Sequence, residues 1–280
     1  MDGITTDNLG LSEEEEALLQ AALEQAHEED NRETLPLNSE SLLIDESSSR
    51  FSSAIWFSKI GEQTVTLAGL GGIGSYVAFL LGRLKVSRLV IYDDDIVDGT
   101  NLSGQLFATQ DVGHSKTESV CRILREFSQY YSAISKEERY GVSSPTTDIM
   151  ICGFDNMMAR KVFYTKWKTH VMGLSEEERG KCLFIDGRLA AEEFQVFCIK
   201  GSDFYLMQKY ENEWLFNDNE AETTLCSYKQ TSFCANMIAS VMVNLFVNFI
   251  ANQCNPLIER ELPFYTNYDA ERMYFKTEMV

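Results

Sequence analysis

The sequence predicts an α/β protein whose mainly parallel sheet is flanked by helices, with a C-terminal part that continues into additional strands and a long helix. Three observations carry this expectation. Short apolar runs rich in β-branched residues alternate with longer helical stretches between residues 64 and 200, and such alternation closes into a parallel sheet through right-handed crossovers. A glycine-rich turn, Gly69-Leu70-Gly71-Gly72-Ile73-Gly74, separates the first of these strands from the helix after it. A carboxylate, Asp93, directly follows the next strand.

Taken in order, residues 64–70 (TVTLAGL) are apolar enough for a strand buried on both faces. Residues 76–84 read as an apolar helix, and residues 88–92 (RLVIY) as a second strand running into Asp93, Asp94 and Asp95. Lys116 opens a helix over residues 116–131. A strand over 148–153 (DIMICG) precedes a helix over 157–170, and further strands follow at 182–186 (CLFID) and 193–200 (EFQVFCIK). A long apolar helix covers 232–252. Residues 262–280 mix aromatic and charged side chains without a period that assigns them. No internal repeat is present.

The chain has 280 residues, 44% of them apolar, enough to bury a full core. The longest apolar run, around 237–251, is interrupted by Ser240, Asn244 and Asn248, short of the roughly 20 apolar residues that a bilayer span needs. Acids stand at the N-terminus where a signal peptide carries basic residues. The expectation is a cytoplasmic protein with no membrane partner. Seven cysteines are scattered without a CxxC pair or zinc-ligand spacing, which reads as reduced, mostly core thiols, and no zinc is expected.

The net charge of −19 is unevenly placed. Residues 1–49 hold 14 acids and one arginine, a balance of −13, which leaves −6 for the rest. Residues 1–49 therefore read as an acidic N-terminal arm, partly helical or disordered, with a helical stretch over 12–27 that Ser12 can cap with Glu15 three residues on. Residues 50–280 form the second domain. This balance disfavours nucleic acid, which is met by basic surfaces.

Residues 69–74 fit G-x-G-x-x-G. Gly69 permits the tight turn, Gly71 lets backbone N–H groups approach phosphate, and Gly74 lets the helix pack closely on the strand. The helix N-terminus adds about half a positive charge towards those phosphates. Asp93 is placed to accept hydrogen bonds from ribose hydroxyls. Together these features mark a Rossmann-like nucleotide site, and at this point ATP, NAD and FAD all suit it.

The residues that follow separate them. Asp93, Asp95, Val97, Asn101, Leu102 and Gln105 are followed by Val112, Gly113 and Lys116, and later by Cys152-Gly153-Phe154-Asp155-Asn156 with Arg160. In order and spacing this set resembles the ThiF/MoeB/HesA family of ubiquitin-activating-enzyme-like adenylyltransferases, over roughly residues 50–255. The resemblance implies an adenylation domain over 50–280 and ATP as cofactor, with Gly69, Gly71, Gly72, Gly74, Asp93, Asp95, Asn101, Gln105, Lys116 and Asp155 at the nucleotide. It implies that Lys116 and Asn101 act on the phosphates and that Asp155 holds Mg2+, an ion that keeps several waters beside one or two carboxylates. The implied activity is adenylation of a carboxylate with release of pyrophosphate, most simply at the C-terminal glycine of a ubiquitin-like or sulfur-carrier protein ending in Gly-Gly, by a homodimer.

Two departures stand out. The family's N-L-x-R-Q arginine is Gly104 here, and an upstream R-Y-x-R-Q element keeps Arg50 but has Ser53 at its second arginine. An arginine on a reacting phosphate is worth orders of magnitude in rate in other phosphoryl-transfer systems. Either cations such as Arg188, Arg160 or Arg50 refill the pocket, or the chain is a degenerate nucleotide-binding interaction module without efficient turnover. An NAD- or FAD-dependent oxidoreductase is the third reading. Arg188, past the end of the 182–186 strand, is the candidate replacement. Cys226 matches a cysteine of ThiF/MoeB members and is a candidate for thioester or persulfide chemistry. Cys234, in the first turn of the 232–252 helix, is a lesser one, where the dipole favours thiolate. The remaining cysteines read as core.

Overall fold

A computed structural model of the protein describes residues 50, 51, 53–216 and 230–279, all inside one compact unit, Asp45–Val280. The expected helix over 12–27 and Cys226 lie outside the described residues.

Eight strands form one sheet in the order β3-β2-β1-β4-β5-β6-β7-β8. They are β1 (Thr64–Ala68), β2 (Arg88–Tyr92), β3 (Ala133–Lys136), β4 (Ile149–Cys152), β5 (Leu183–Ala190), β6 (Glu193–Lys200), β7 (Tyr265–Asp269) and β8 (Tyr274–Glu278). The first five pair in parallel, and β5 to β8 pair antiparallel. The parallel half sits between helices, so β4 (IMIC) is buried at every position, as strands covered on both faces must be. β7 and β8 are the strands of the C-terminal stretch that the sequence left unassigned. Their outer residues are exposed, and an edge ribbon of this kind carries no clean alternation.

Helices cover both faces. On one lie α1 (Ile55–Ile60), α2 (Gly72–Arg83), α3 (Lys116–Ser128) and α7 (Ser232–Asn252), whose Val77, Leu81, Val120, Leu124, Ile238 and Phe246 join the core of β1, β2 and β4. On the other, α4 (Met157–Met172) and α6 (Phe204–Trp214) bury Phe163, Tyr164, Trp167, Val171 and Tyr210. A short α5 (Glu176–Arg179) precedes β5. Each large side chain so buried contributes roughly 1.5–3 kcal/mol.

α7 corrects one expectation. Its 21 residues, with a mean hydropathy of 1.8 over an 18-residue stretch, do meet the length and composition of a membrane span. Packing accounts for that character: the helix is sandwiched between α2 and strands β5 and β6, with Ile238, Ala239, Met242, Phe246 and Ile250 fully buried.

The strand order sets the position of the site. The chain winds outward from β1 through β2 to β3, then returns to the other side of β1 with β4. Between the C-terminal ends of β1 and β4 the order reverses, and ligands gather in the crevice at such a switch point. The glycine turn leaves β1 and the 152–156 loop leaves β4 at that place. Gly69 adopts φ 82° there, and a Cβ on it would stand 3.2 Å from the Gly153 carbonyl.

Candidate nucleotide site

The helix after the glycine turn begins earlier than the sequence suggested, at Gly72 rather than residue 76, so the turn is itself the helix N-terminus. Gly71 takes the N-cap position and, as a glycine, has no side chain to cap the helix. The first N–H groups of α2 therefore keep their donors for an outside acceptor. The first intrahelical partner is made by Ser75, whose N–H donates to the Gly71 carbonyl at 3.1 Å.

Asp93 stands opposite. Its Oδ2 accepts from the Leu70 N–H at 2.6 Å and its Oδ1 from the Asp95 N–H at 2.9 Å. Both oxygens thus already shape the turn. Burial raises its pKa, and the Leu70 hydrogen bond and the nearby Lys116 charge offset only part of that rise. Lys116 is the first residue of α3, with its side chain 7% exposed, and its Nζ bonds Asp95 Oδ2 at 2.7 Å. A backbone bridge between Ile96 and Ser115 holds the two segments together, and the Lys116 N–H donates to the Asp95 carbonyl at 3.0 Å. The lysine is thereby fixed beside the turn, while the carboxylate it pairs with is 60% exposed and can exchange partners.

Asn101 lies in a 3-10 turn over Gly99–Ser103 and spends its Oδ1 on the Asp98 N–H at 2.9 Å, as part of a capping box. The Gln105 amide faces Gly71, its Nε2 4.0 Å from where a Cβ would stand. Its Oε1 is buried without a protein partner, a state that ligands commonly resolve.

Asp155 is exposed on the 152–156 loop, where its Oδ1 accepts from Asn156 Nδ2 at 3.2 Å. Asn156 caps α4, accepting from the Ala159 N–H at 2.8 Å. Arg139 marks the common neighbourhood: it bonds Asp94 at 2.8 Å, and Asp95 and Asp155 also favour its charged form. Asp93, Asp94 and Asp95 bring one oxygen each within 4.8 Å of one another, and Asp155 is not among that group.

The arginines are placed differently from the expectation. β5 continues to Ala190, so Arg188 lies inside a strand and not beyond its end. Its Nε bonds Asp186 Oδ2 at 2.9 Å, and its guanidinium lies 4.6 Å from the centre of the Phe197 ring. Arg160 bonds the other Asp186 oxygen at 2.7 Å. Burial alone would raise the Asp186 pKa, but the two guanidinium groups hold it below the usual carboxylate range. Arg188 and Arg160 are therefore both engaged by one buried acid, which leaves the cluster a net charge of +1 but holds both guanidinium groups away from solvent. Arg160 keeps a positioning role, because its Nη2 donates to the Phe154 carbonyl at 2.7 Å and ties the 152–156 loop to β5. A charged residue within the apolar run CLFID was the available sign of Asp186.

The cysteines also differ. Burial raises the Cys234 pKa, and the bond to Thr231 offsets only part of that rise. Cys254 is half-buried just past α7 and not in the core. Away from the site, at the N-terminal ends of β4 and β5, Asp148, His170 and Cys182 bring ligand atoms within 4.8 Å. The Cys182 thiol there is pushed up to about 12 by burial. A cleft of about 680 Å³ on the outer face of α4, beside Val142, Lys166 and His170, shares none of the residues of the glycine turn.

Comparison with known proteins agrees with this architecture. Ubiquitin-like modifier-activating enzyme 5 of Arabidopsis thaliana is 36% identical over 70 residues, 25% of this chain and 16% of the relative. The enzyme of the same name from Drosophila willistoni is 30% identical over 102 residues, 36% of this chain and 23% of the relative. The chain thus spans less than a quarter of the length of these curated relatives. Among solved structures, PaaA superposes with a TM-score of 0.64 at 13% identity, covering 97% of this chain and 84% of that one. MccB of E. coli with ATP gives 0.58 at 16% identity, covering 80% and 65%. These likenesses show the fold. The ThiF family model matches residues 50–279, most of the 280-residue chain, and the protein belongs to the ThiF family.

Proposed function

We propose that the protein binds Mg-ATP at the glycine turn and adenylates a carboxylate. The observation that carries this reading is the meeting, at the sheet's switch point, of an uncapped helix N-terminus with Lys116, held 2.7 Å from a solvent-facing carboxylate. The triphosphate lies along the first turn of α2, and Lys116 leaves Asp95 for a phosphate oxygen. The carboxylate oxygen of the substrate attacks the α-phosphorus, the α–β bridging P–O bond breaks, and pyrophosphate leaves with the electron pair. Magnesium suits Asp155, an exposed carboxylate with no cation bonded to it among the described residues, and the ion would supply charge neutralisation on the phosphates. Positioning and electrostatics do most of the work in such chemistry.

The acceptor is a small protein or peptide with a free C-terminal carboxylate. The relatives are named as activating enzymes for ubiquitin-like modifiers, and MccB has been crystallised with MccA. A C-terminal Gly-Gly segment is the simplest candidate, because it carries no side chains to obstruct its approach to a phosphate. A homodimer in the cytoplasm completes the reading.

One observation favours a second reading, a nucleotide-binding module without efficient turnover. Position 104 has no arginine, and both Arg160 and Arg188 are spent on Asp186. ATP–pyrophosphate exchange in the presence of peptides ending in Gly-Gly decides between them. Exchange that requires the peptide supports adenylation. Saturable ATP binding without exchange supports the module, and preferential binding of NAD or FAD sinks both.

A further inference from the structure

Gly104 stands where the family resemblance expects an arginine, and the structure shows what fills the space. A Cβ added to Gly104 would lie 3.2 Å from both Cγ and Nε2 of Gln230. One added to Gly72, in the first turn of α2, would collide with the same amide, with Nε2 at 2.5 Å and Oε1 closer still. The Gln230 side chain therefore lies across both glycines, with its amide against the phosphate-facing end of α2.

That placement is fixed from the backbone. Gln230 forms a parallel bridge with Ala191 at the tip of the β5–β6 hairpin. The next residue, Thr231, caps α7, its hydroxyl accepting from the Cys234 N–H at 3.4 Å. These contacts hold the Gln230 backbone beside the two glycines, and its half-buried side chain lies over them. An arginine at 104 would add six heavy atoms beyond its Cβ, into a volume where the Cβ alone is already tight. The two side chains compete for that volume.

We propose that Gln230 is a nucleotide-contacting residue that takes the place of the missing arginine, donating its amide N–H to a phosphate oxygen, and that Gly104 is the matched vacancy that admits it. This deepens the adenylation reading and rests on it. A neutral amide supplies a hydrogen bond and orientation without the charge of a guanidinium.

The test is a four-way comparison of wild type, Gly104→Arg, Gln230→Ala and the double variant, each measured for thermal stability and for affinity towards a non-hydrolysable ATP analogue with Mg2+. Gln230→Ala is expected to keep the wild-type melting temperature and to weaken the analogue about tenfold, the value of one good hydrogen bond. Gly104→Arg is expected to lower the melting temperature and to weaken binding, and adding Gln230→Ala to it is expected to restore both. Independent, additive effects of the two changes would overturn the proposal. So would tighter binding by Gln230→Ala, which would make the glutamine an obstacle to nucleotide. If the wild type binds no nucleotide yet the stability effects remain coupled, the failure lies with the adenylation reading and takes the contact with it. If it binds nucleotide and no coupling appears, the failure lies with the pairing of Gln230 and Gly104.

Discussion

Replacing Asp186 by asparagine removes one negative charge from the middle of the fold and leaves two arginines facing each other. Asp186 is fully buried, its partner Arg160 is 5% exposed and Arg188 13%. Tyr210 donates to Asp186 Oδ2 at 2.8 Å and Cys152 to Oδ1 at 3.4 Å. Breaking one buried ion pair by removing a single partner costs about 3–5 kcal/mol, because the remaining charge stays desolvated. Against a total stability of about 5–15 kcal/mol, that is a large share. With a urea dependence of about 2–3 kcal/mol per molar, the unfolding midpoint falls by roughly 1–2 M. Combining Asp186→Asn with Arg160→Met removes one of the two stranded charges and recovers part of the loss, since Arg188 keeps its charge. The pH dependence has a definite sign. The folded pKa of Asp186 lies below its ordinary value, so its contribution is complete above the ordinary carboxylate pKa of about 3.9 and is lost as pH falls through the folded value. The variant should therefore be less stable than wild type at pH 7, and the gap should narrow below about pH 4. Urea unfolding followed by circular dichroism at several pH values reads all of this. A midpoint unchanged at pH 7 would refute the reasoning.

Asp155→Asn should leave the unfolding midpoint unchanged, since the side chain is exposed and makes only a contact to its neighbour, but raise the Mg2+ concentration needed for nucleotide binding about tenfold or more, as read by titrating the metal at fixed nucleotide. Arg160→Met should loosen the 152–156 loop, because the bond to the Phe154 carbonyl is lost, and hydrogen exchange at residues 153–156 should rise while that of β1 stays slow. Among the described cysteines, Cys254 should react first with a thiol reagent in the native protein. Cys152, Cys182, Cys198 and Cys234 are all buried and hold thiols raised by burial, and mass spectrometry of partly labelled protein checks the order.

Much of the fold was legible because hydrophobic period and glycine chemistry are local. β1, β2, β4 and β6 lie where their apolar runs are, and α3 begins at Lys116, where its spacing places it. β3 was not legible: four residues at a half-exposed edge (AISK) carry no signal. α2 was placed too late because its first turn is glycine, which propensity reads as loop although a phosphate-binding helix start requires it. Lys116 and Asp95 meet because a backbone bridge joins two segments some twenty residues apart, a pairing that the order of the motif does not state. The Arg188 expectation failed for a different reason. The run CLFID suggests a strand that stops at Asp186, whereas pairing with β6 carries β5 on to Ala190, with the Arg188 guanidinium on Asp186. Gln230 was invisible, since nothing in the order of residues brings it to Gly72 and Gly104; only the return of the chain into α7 does.

Calorimetric titration of the protein with a non-hydrolysable ATP analogue and Mg2+, repeated on Lys116→Ala, bears most directly on the account. Saturable one-to-one binding that weakens at least about tenfold in the variant, with NAD failing to compete, is the predicted outcome. Binding of equal strength in both proteins, or none in the wild type, would contradict the assignment of the glycine turn and Lys116 to a triphosphate.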